Sequence, residues 1–311
     1  MKRKIIIDTD AGQDDAVALL LALASPELES LGVVAVAGNV PLPMAARNIR
    51  ILCELAGRRE IRCLAGAAGP MRGRLVTAEE VHGRTGIDGP DLADPTMALD
   101  PQGGVEFVIE TLRREAPGTV TLCMLGPLTN LALALRLAPE IGPRIAQVVA
   151  MGGACFEGGN TTPTAEFNIF VDPEAADVVL HAGIPVTLIP LDATHQALTL
   201  RPRVECIRAL GTPVGQAVAA MLDFFGRYDS AKYGTDGAPL HDPMVIAWLI
   251  RPDLFGGRDC NVEIELGSPL TRGMTVIDWW RVTGRAPNAH VIGEVDAEGY
   301  FSLITERLAR L

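Results

Sequence analysis

Four aspartates fall within eight residues of this 311-residue chain: Asp8, Asp10, Asp14 and Asp15, in the run DTDAGQDDA. Carboxylates packed this closely repel one another. A hard cation would offset the repulsion, and Ca²⁺ takes roughly 6–8 oxygen ligands. Helix capping would account for Asp14 or Asp15 taken singly, because carboxylates are favoured at a helix N-terminus. Four of them at the end of a buried strand point to a metal or catalytic site. A second group is His241-Asp242-Pro243. Pro243 fits the first turn of a following helix. Asp242 either caps that helix or adds a carboxylate to the cation, and His241 has the pKa range of a general acid. The third group lies in residues 151–172, MGGACFEGGNTTPTAEFNIFVD, which hold Asn160, Glu166 and Asn168. In an extended stretch Glu166 and Asn168, two apart, point to one side. A carboxylate beside a carboxamide offers acceptors and donors that suit ribose hydroxyls. Asn39, after Gly38, is a candidate of the same kind or an ordinary turn residue.

The elements that must position these groups alternate along the first two-thirds of the chain. Strands are expected at 4–8, 31–37, 61–65, 119–125, 145–151 and 185–189. Helices are expected at 14–24, 44–56, 105–115, 128–137 and 173–182. Continuous apolar strands between helices indicate a mostly parallel sheet covered on both faces. The fold class is therefore α/β, a single domain over residues 1–311 with a doubly wound, Rossmann-like sheet. The last third adds helices at 204–225, 243–250 and 300–311 and strands at 260–266 and 289–295. Loops rich in Gly, Pro and Asp follow the strands, at 8–13, 38–43, 66–100, 152–168 and 192–196. In a doubly wound sheet ligands bind outside the carboxyl ends of the strands. The 66–100 connection is long enough to suggest a lid.

Composition limits the partners. Apolar residues make up 48% of the chain, enough for a large core, and the formal net charge of −11 argues against nucleic acid or an anionic membrane as a partner. No apolar run reaches membrane-spanning length. The six cysteines are widely and irregularly spaced, with no CxxC pair. That argues against a zinc-thiolate site and for reduced thiols in a cytoplasmic protein.

DTDAGQDDA resembles the N-terminal signature of the inosine-uridine-preferring nucleoside hydrolases. The likeness continues through Gly38-Asn39, His82-Gly83, Leu128-Thr129-Asn130, Met151-Gly152-Gly153, the run AEFNIFVDPEAA at 165–176 and His241-Asp242-Pro243. It covers most of the chain in order. The resemblance implies Ca²⁺ held by the carboxylates of Asp10, Asp15 and Asp242 and by the backbone carbonyl of Leu125. Members of that family often have threonine at the last position, which a main-chain ligand does not require. It implies a ribonucleoside held through Asp14, Asn39, Glu166 and Asn168, with Asn160 and Met151 close by. Asp8 would support the metal ligands. The reaction implied is hydrolysis of the N-glycosidic bond through an oxocarbenium-like cation. Asp10 would be the general base, and His241 would protonate or orient the leaving base. His82 and the loop HGRTGIDGP would cover the base, with Tyr228 and Tyr233 against it. Phe224 and Phe225 are better accounted for as core. The resemblance also implies a homodimer or homotetramer, and a role in purine or pyrimidine salvage or nucleoside catabolism.

Two rivals remain on the residues themselves. A Mg²⁺-dependent haloacid dehalogenase-like phosphatase would use Asp8 as nucleophile. It would need a basic residue facing the site, and Gly12 stands where threonine or valine is usual. A non-catalytic nucleoside- or calcium-binding protein could dispense with Asp10 or His241, and both are present.

Overall fold

The computed structural model describes residues 2–311 and, within them, every side chain except those of Asp229 and Tyr233. Ile5, Ile6 and Ile7 are all buried because strand β1 (Arg3–Thr9) runs through the middle of a sheet covered on both faces. Side chains alternate across a strand. Ile5 and Ile7 therefore enter one apolar layer, shared with helices Gln13–Ala24, Leu42–Leu55, Pro243–Ile250 and Ala297–Leu308. Ile6 enters the other, shared with helices Gly104–Arg114, Thr129–Leu137 and Pro173–Leu180.

The remaining strands are β2 (Leu28–Ala35), β3 (Cys63–Ala65), β4 (Val120–Met124), β5 (Ile145–Met151), β6 (Val186–Ile189), β7 (Phe255–Cys260), β8 (Val262–Ile264), β9 (Thr275–Ile277) and β10 (Ala289–Val295). Eight form one sheet in the order β3-β2-β1-β4-β5-β6-β10-β7. Neighbours are parallel except β10 and β7, which are antiparallel. This is the doubly wound α/β sheet with C-terminal additions that the sequence predicts. The chain leaves β1 toward β2 and β3, then returns on the other side of β1 at β4. A crevice opens at such a reversal, outside the carboxyl ends of the strands. Asp8 pairs with Val34 on one side and Met124 on the other, so residues 9–15 emerge between the loops that follow β2 and β4.

Three local expectations are corrected. The helix expected over 204–225 is two helices, Arg201–Arg208 and Pro213–Tyr233. Gly211 takes a left-handed φ of 71°, Thr212 caps the second helix through Gly215 N–H, and Pro213 opens it. That is a stop, cap and start signal within three residues. The strand expected over 260–266 is also divided. β7 ends at Cys260, while Val262 starts a separate antiparallel pair, β8 with β9. The Asn288 side chain accepts from Val262 N–H and donates to Val262 C=O, taking over its backbone groups. Finally, Glu166 and Asn168 are not in an extended run. Glu166 caps the short helix Phe167–Val171, its side chain accepting from the N–H groups of Asn168 and Ile169.

Candidate active site

The first helix, Gln13–Ala24, is buried along its whole length, polar N-terminus included. Burying carboxylates there costs free energy unless each is satisfied. Asp15 is: one oxygen accepts from Thr9 Oγ1 at 2.5 Å, the other from Gly12 N–H at 2.8 Å and Asn39 Nδ2 at 3.1 Å. Asp10 is half satisfied. Its Oδ2 accepts from Asn39 N–H at 2.7 Å, while Oδ1 has no partner among the described residues. Asp14 Oδ1 and Asp8 Oδ1 are buried and unpartnered too. Oxygen atoms of Asp14, Asp15 and Asp242 lie within 4.8 Å of one another. Asp10 falls outside that trio but lies close enough for its charge to act on Asp242.

Electrostatics follow from this crowding. Burial, then the charges of Asp15 and Asp14, push Asp10 well above the usual carboxylate range. Burial and the charges of Asp14, Asp15 and Asp10 do the same to Asp242. Burial, with Asp15 adding to it, raises Asp14 to about 7. Asp8 also rises to about 7, mainly through burial, although Asn130 donates to it at 2.9 Å. A set of buried, mutually repelling, half-bonded carboxylates fits a hard cation. Donors that are all oxygen exclude the softer sites typical of zinc thiolates.

The backbone is shaped to bring these groups together. Ala11 adopts a left-handed φ of 51°, which costs a non-glycine residue roughly 1–2 kcal/mol. Gly12 itself is extended, so it does not supply the turn that its type suggests. It is needed for close approach. A Cβ there would stand 2.5 Å from His82 Nδ1 and 2.8 Å from Asn39 Nδ2.

Above the carboxylates lies a pocket of about 630 Å³. Its walls include Asp14, Asn39, His82, Leu125, Met151, Asn160, Glu166, Asn168, Tyr228, His241 and Asp242, gathering residues from across the sequence. Val76, Thr77, Ala78, Glu80 and Val81 of the 66–100 connection also line it, as expected of a covering segment. His82 lies on a short helix, Glu79–His82, rather than in a loop. It stacks on Phe225 with centroids 5.4 Å apart, so Phe225 is both core and pocket wall. Gln13 donates its amide to the carbonyls of His82 and Asp88. Its Oε1 therefore faces His82 Nδ1 at 2.7 Å, which must carry the proton. Burial lowers the pKa of His82 to about 4. His241 is half-buried and contacts Thr194 Oγ1 through Nδ1 at 2.8 Å. Burial, then repulsion from His195 and His82, holds it well below the usual histidine range.

The polar loop is built around Glu166. It accepts from the N–H groups of Gly153, Asn168 and Ile169, yet burial still raises it to about 7. Asn168 Nδ2 donates to Leu125 C=O at 2.7 Å and to Met151 C=O at 3.2 Å, tying the ends of β4 and β5 together. Asn160 Oδ1 accepts from Phe167 N–H. Tyr228 Oη accepts from Lys232 Nζ at 2.9 Å. The side chain of Tyr233 lies outside the described residues. Phe224 does not line the pocket, and Arg227 lies over its ring.

Sequence reasoning missed the groups that hold these side chains. They are Thr9 and Gln13 beside the aspartates, and Asp192, Thr194 and His195 after β6. Asp192 accepts from the N–H groups of Cys155, Phe156 and Glu157, and His195 meets Glu157 at 3.0 Å. Their one sequence signal was position, a polar run at the carboxyl end of a buried strand.

Fold and site together define an α/β protein with a candidate cation site at the carboxyl edge of its sheet. The family model described as "Inosine-uridine preferring nucleoside hydrolase" matches residues 5–302. An uncharacterized Schizosaccharomyces pombe protein is 50% identical over 99% of both chains. The pyrimidine-specific ribonucleoside hydrolase RihA of Enterobacter sp. is 46% identical over 100% of this chain and 99% of its own. A solved purine-preferring ribonucleoside hydrolase from Gardnerella vaginalis superposes with a TM-score of 0.92 at 31% identity, covering 99% of this chain and 98% of its own. The chain belongs to the inosine-uridine preferring nucleoside hydrolase family and is an enzyme that hydrolyses N-glycosidic bonds. The phosphatase alternative falls with this. Neither Asp8 nor Asp10 is among the residues that line the pocket, and one Asp8 oxygen accepts from Asn130 Nδ2.

Proposed function

We propose that the enzyme is a Ca²⁺-dependent ribonucleoside hydrolase that passes through an oxocarbenium-like ribosyl cation. The observation that carries the reading is the set of unpartnered buried carboxylate oxygens on Asp10 and Asp14 beside a pocket lined by Asn39, Glu166 and Asn168. Asp10, Asp15 and Asp242 would hold the cation, with the Leu125 carbonyl and with Asp14 beside them. When bound, the cation neutralises the cluster and polarises water for attack.

The chain's own residues do the rest. Asp10 Oδ1, with no hydrogen-bond donor of its own, takes the proton of the attacking water. Asp14, Asn39, Glu166 and Asn168 bind the ribose hydroxyls, with Asn160 and Met151 beside them. Their carboxylates also stabilise positive charge developing on the sugar. The walls exclude bulk water, which strengthens those interactions. His241 hydrogen-bonds the leaving base, and His82 and Tyr228 pack around it. A pyrimidine nucleoside is the favoured substrate. Relatives named as pyrimidine-specific are 45–47% identical over 99–100% of this chain, against 31% for the purine-preferring structure. We further place the enzyme in the cytoplasm, in nucleoside salvage or catabolism, as a homodimer or homotetramer. Among the described residues no helix is long and apolar enough to cross a membrane. Exposed Trp280 and Val282 offer apolar surface to another copy.

The test is release of free base from inosine, adenosine, guanosine, uridine and cytidine, with and without a chelator, followed by Ca²⁺ readdition. Fastest release from uridine or cytidine, lost on chelation and restored by Ca²⁺, is the expected result. Release unaffected by chelation would overturn the metal reading, and a purine preference would overturn the choice of base.

A further inference from the structure

Thr194 is buried completely on the short helix Leu191–Thr194, which follows β6. Its hydroxyl has one proton to give and two neighbours to receive it. His241 Nδ1 is at 2.8 Å, while Leu191 C=O is at 3.5 Å and already accepts from His195 N–H at 2.9 Å. The shorter contact takes the proton, because a hydrogen bond at the distance limit is weak. Nδ1 is then the acceptor, and the proton of the neutral ring sits on Nε2. No hydrogen bond from a described residue reaches Nε2, and the ring lines the pocket. The helix that carries Thr194 is itself fixed. Asp192 clamps the loop at Cys155–Glu157, and His195 meets Glu157.

We infer that Thr194 is a positioning residue, which selects the Nε2–H tautomer of His241 and aims that N–H at the leaving base. This rests on the reading of His241 as the residue that hydrogen-bonds the base. It adds which nitrogen does so and what decides it. Breaking the bond from C1′ to nitrogen leaves its electron pair on the base. A positioned N–H donor stabilises that negative charge as it develops. With the other tautomer the ring would offer the base a lone pair instead, which opposes the same step. The isosteric change Thr194→Val leaves the fold's volume in place and removes the selection.

The experiment compares wild type, Thr194→Val and Thr194→Ser on uridine and on p-nitrophenyl riboside, whose leaving group needs little assistance. Thr194→Val should lose roughly 10- to 100-fold in kcat on uridine and little on the activated substrate, and Thr194→Ser should recover most of the loss. A role in folding alone would lower both substrates together. In parallel, ¹⁵N NMR of the imidazole in wild type reads the tautomer without any turnover. A protonated Nε2 and a bare Nδ1 are expected. A protonated Nδ1, or full uridine turnover by Thr194→Val, would overturn the inference. Failure of wild type to cleave any nucleoside would instead overturn the functional reading, and the NMR result would still decide the tautomer.

Discussion

Adding one methyl group at Gly12 should damage both stability and activity. In Gly12→Ala the new carbon would stand 2.5 Å from His82 Nδ1, 2.7 Å from His82 Cε1 and 2.8 Å from Asn39 Nδ2. Unbonded heavy atoms prefer about 3.5 Å, so each neighbour must retreat by about 0.7–1 Å. Neither is free to do so. His82 is bonded to Gln13 at 2.7 Å and stacked on Phe225, and Asn39 is bonded to Asp15 and Asp10. The backbone at Gly12 accepts alanine, with φ −79° and ψ −171°, so the effect is steric alone. Overpacking costs about 1–3 kcal/mol, and a buried hydrogen bond forced apart adds about 1–3 kcal/mol. An unfolding entropy of about 2.1 cal/mol/K per residue over 311 residues makes each kcal/mol worth about 1.5 °C. The melting temperature should fall by roughly 3–9 °C. Misplacing pocket side chains by this much should cost roughly 10- to 100-fold in kcat/KM. Thermal melts and base release measure both. Gly103→Ala is the control, because Gly103 has φ −65° and nothing within 4 Å of its Cβ position. A Gly12→Ala enzyme that melts within about 1 °C of wild type and keeps kcat/KM within about twofold would refute the packing argument.

Asp10→Asn should lower kcat by roughly 10²- to 10⁴-fold with the fold retained, because the Asn Oδ1 can still accept from Asn39 N–H; near-wild-type turnover would remove Asp10 as the base. His82 makes a pH prediction with a definite sign. Its pKa falls from 6.5 to about 4, so between those values the folded state binds fewer protons than the unfolded. Its contribution is present above pH 6.5 and is lost as pH falls through about 4, in total about 3 kcal/mol. Raised carboxylates such as Asp8 and Glu166 act in the opposite sense, losing stability as pH rises from their unfolded values through about 7. Urea unfolding of chelated wild type and His82→Phe from pH 7 to 4.5 separates them, and parallel profiles would refute the His82 assignment. Removing the metal at pH 7 should lower the melting temperature and take up protons, because the carboxylates of Asp8 and Asp14 are left near half-titration. Titration calorimetry in two buffers of different ionisation enthalpy measures the proton uptake, and identical heats would count against it.

The sequence by itself determined the sheet, the cluster and most of the pocket. Apolar strands such as Ile5–Ile7 must be covered on both faces, and helices between strands impose parallel order. Four aspartates after the first strand then fall at the carboxyl edge, whatever the details. Local punctuation was legible too, at Gly211-Thr212-Pro213, although periodicity alone ran the two helices together. Other features depend on contacts between distant segments. No spacing places Asn288 on Val262, Thr194 on His241 across 47 residues, or Gln13 on His82 across 69. Gly12 shows the difference most clearly. Its residue type suggests a turn, but the turn is made by Ala11, and glycine is required only because a histidine from another segment packs against it. The chemistry of each side chain is written in the chain. Its protonation, its tautomer and its aim are set by neighbours that only folding brings within hydrogen-bond range.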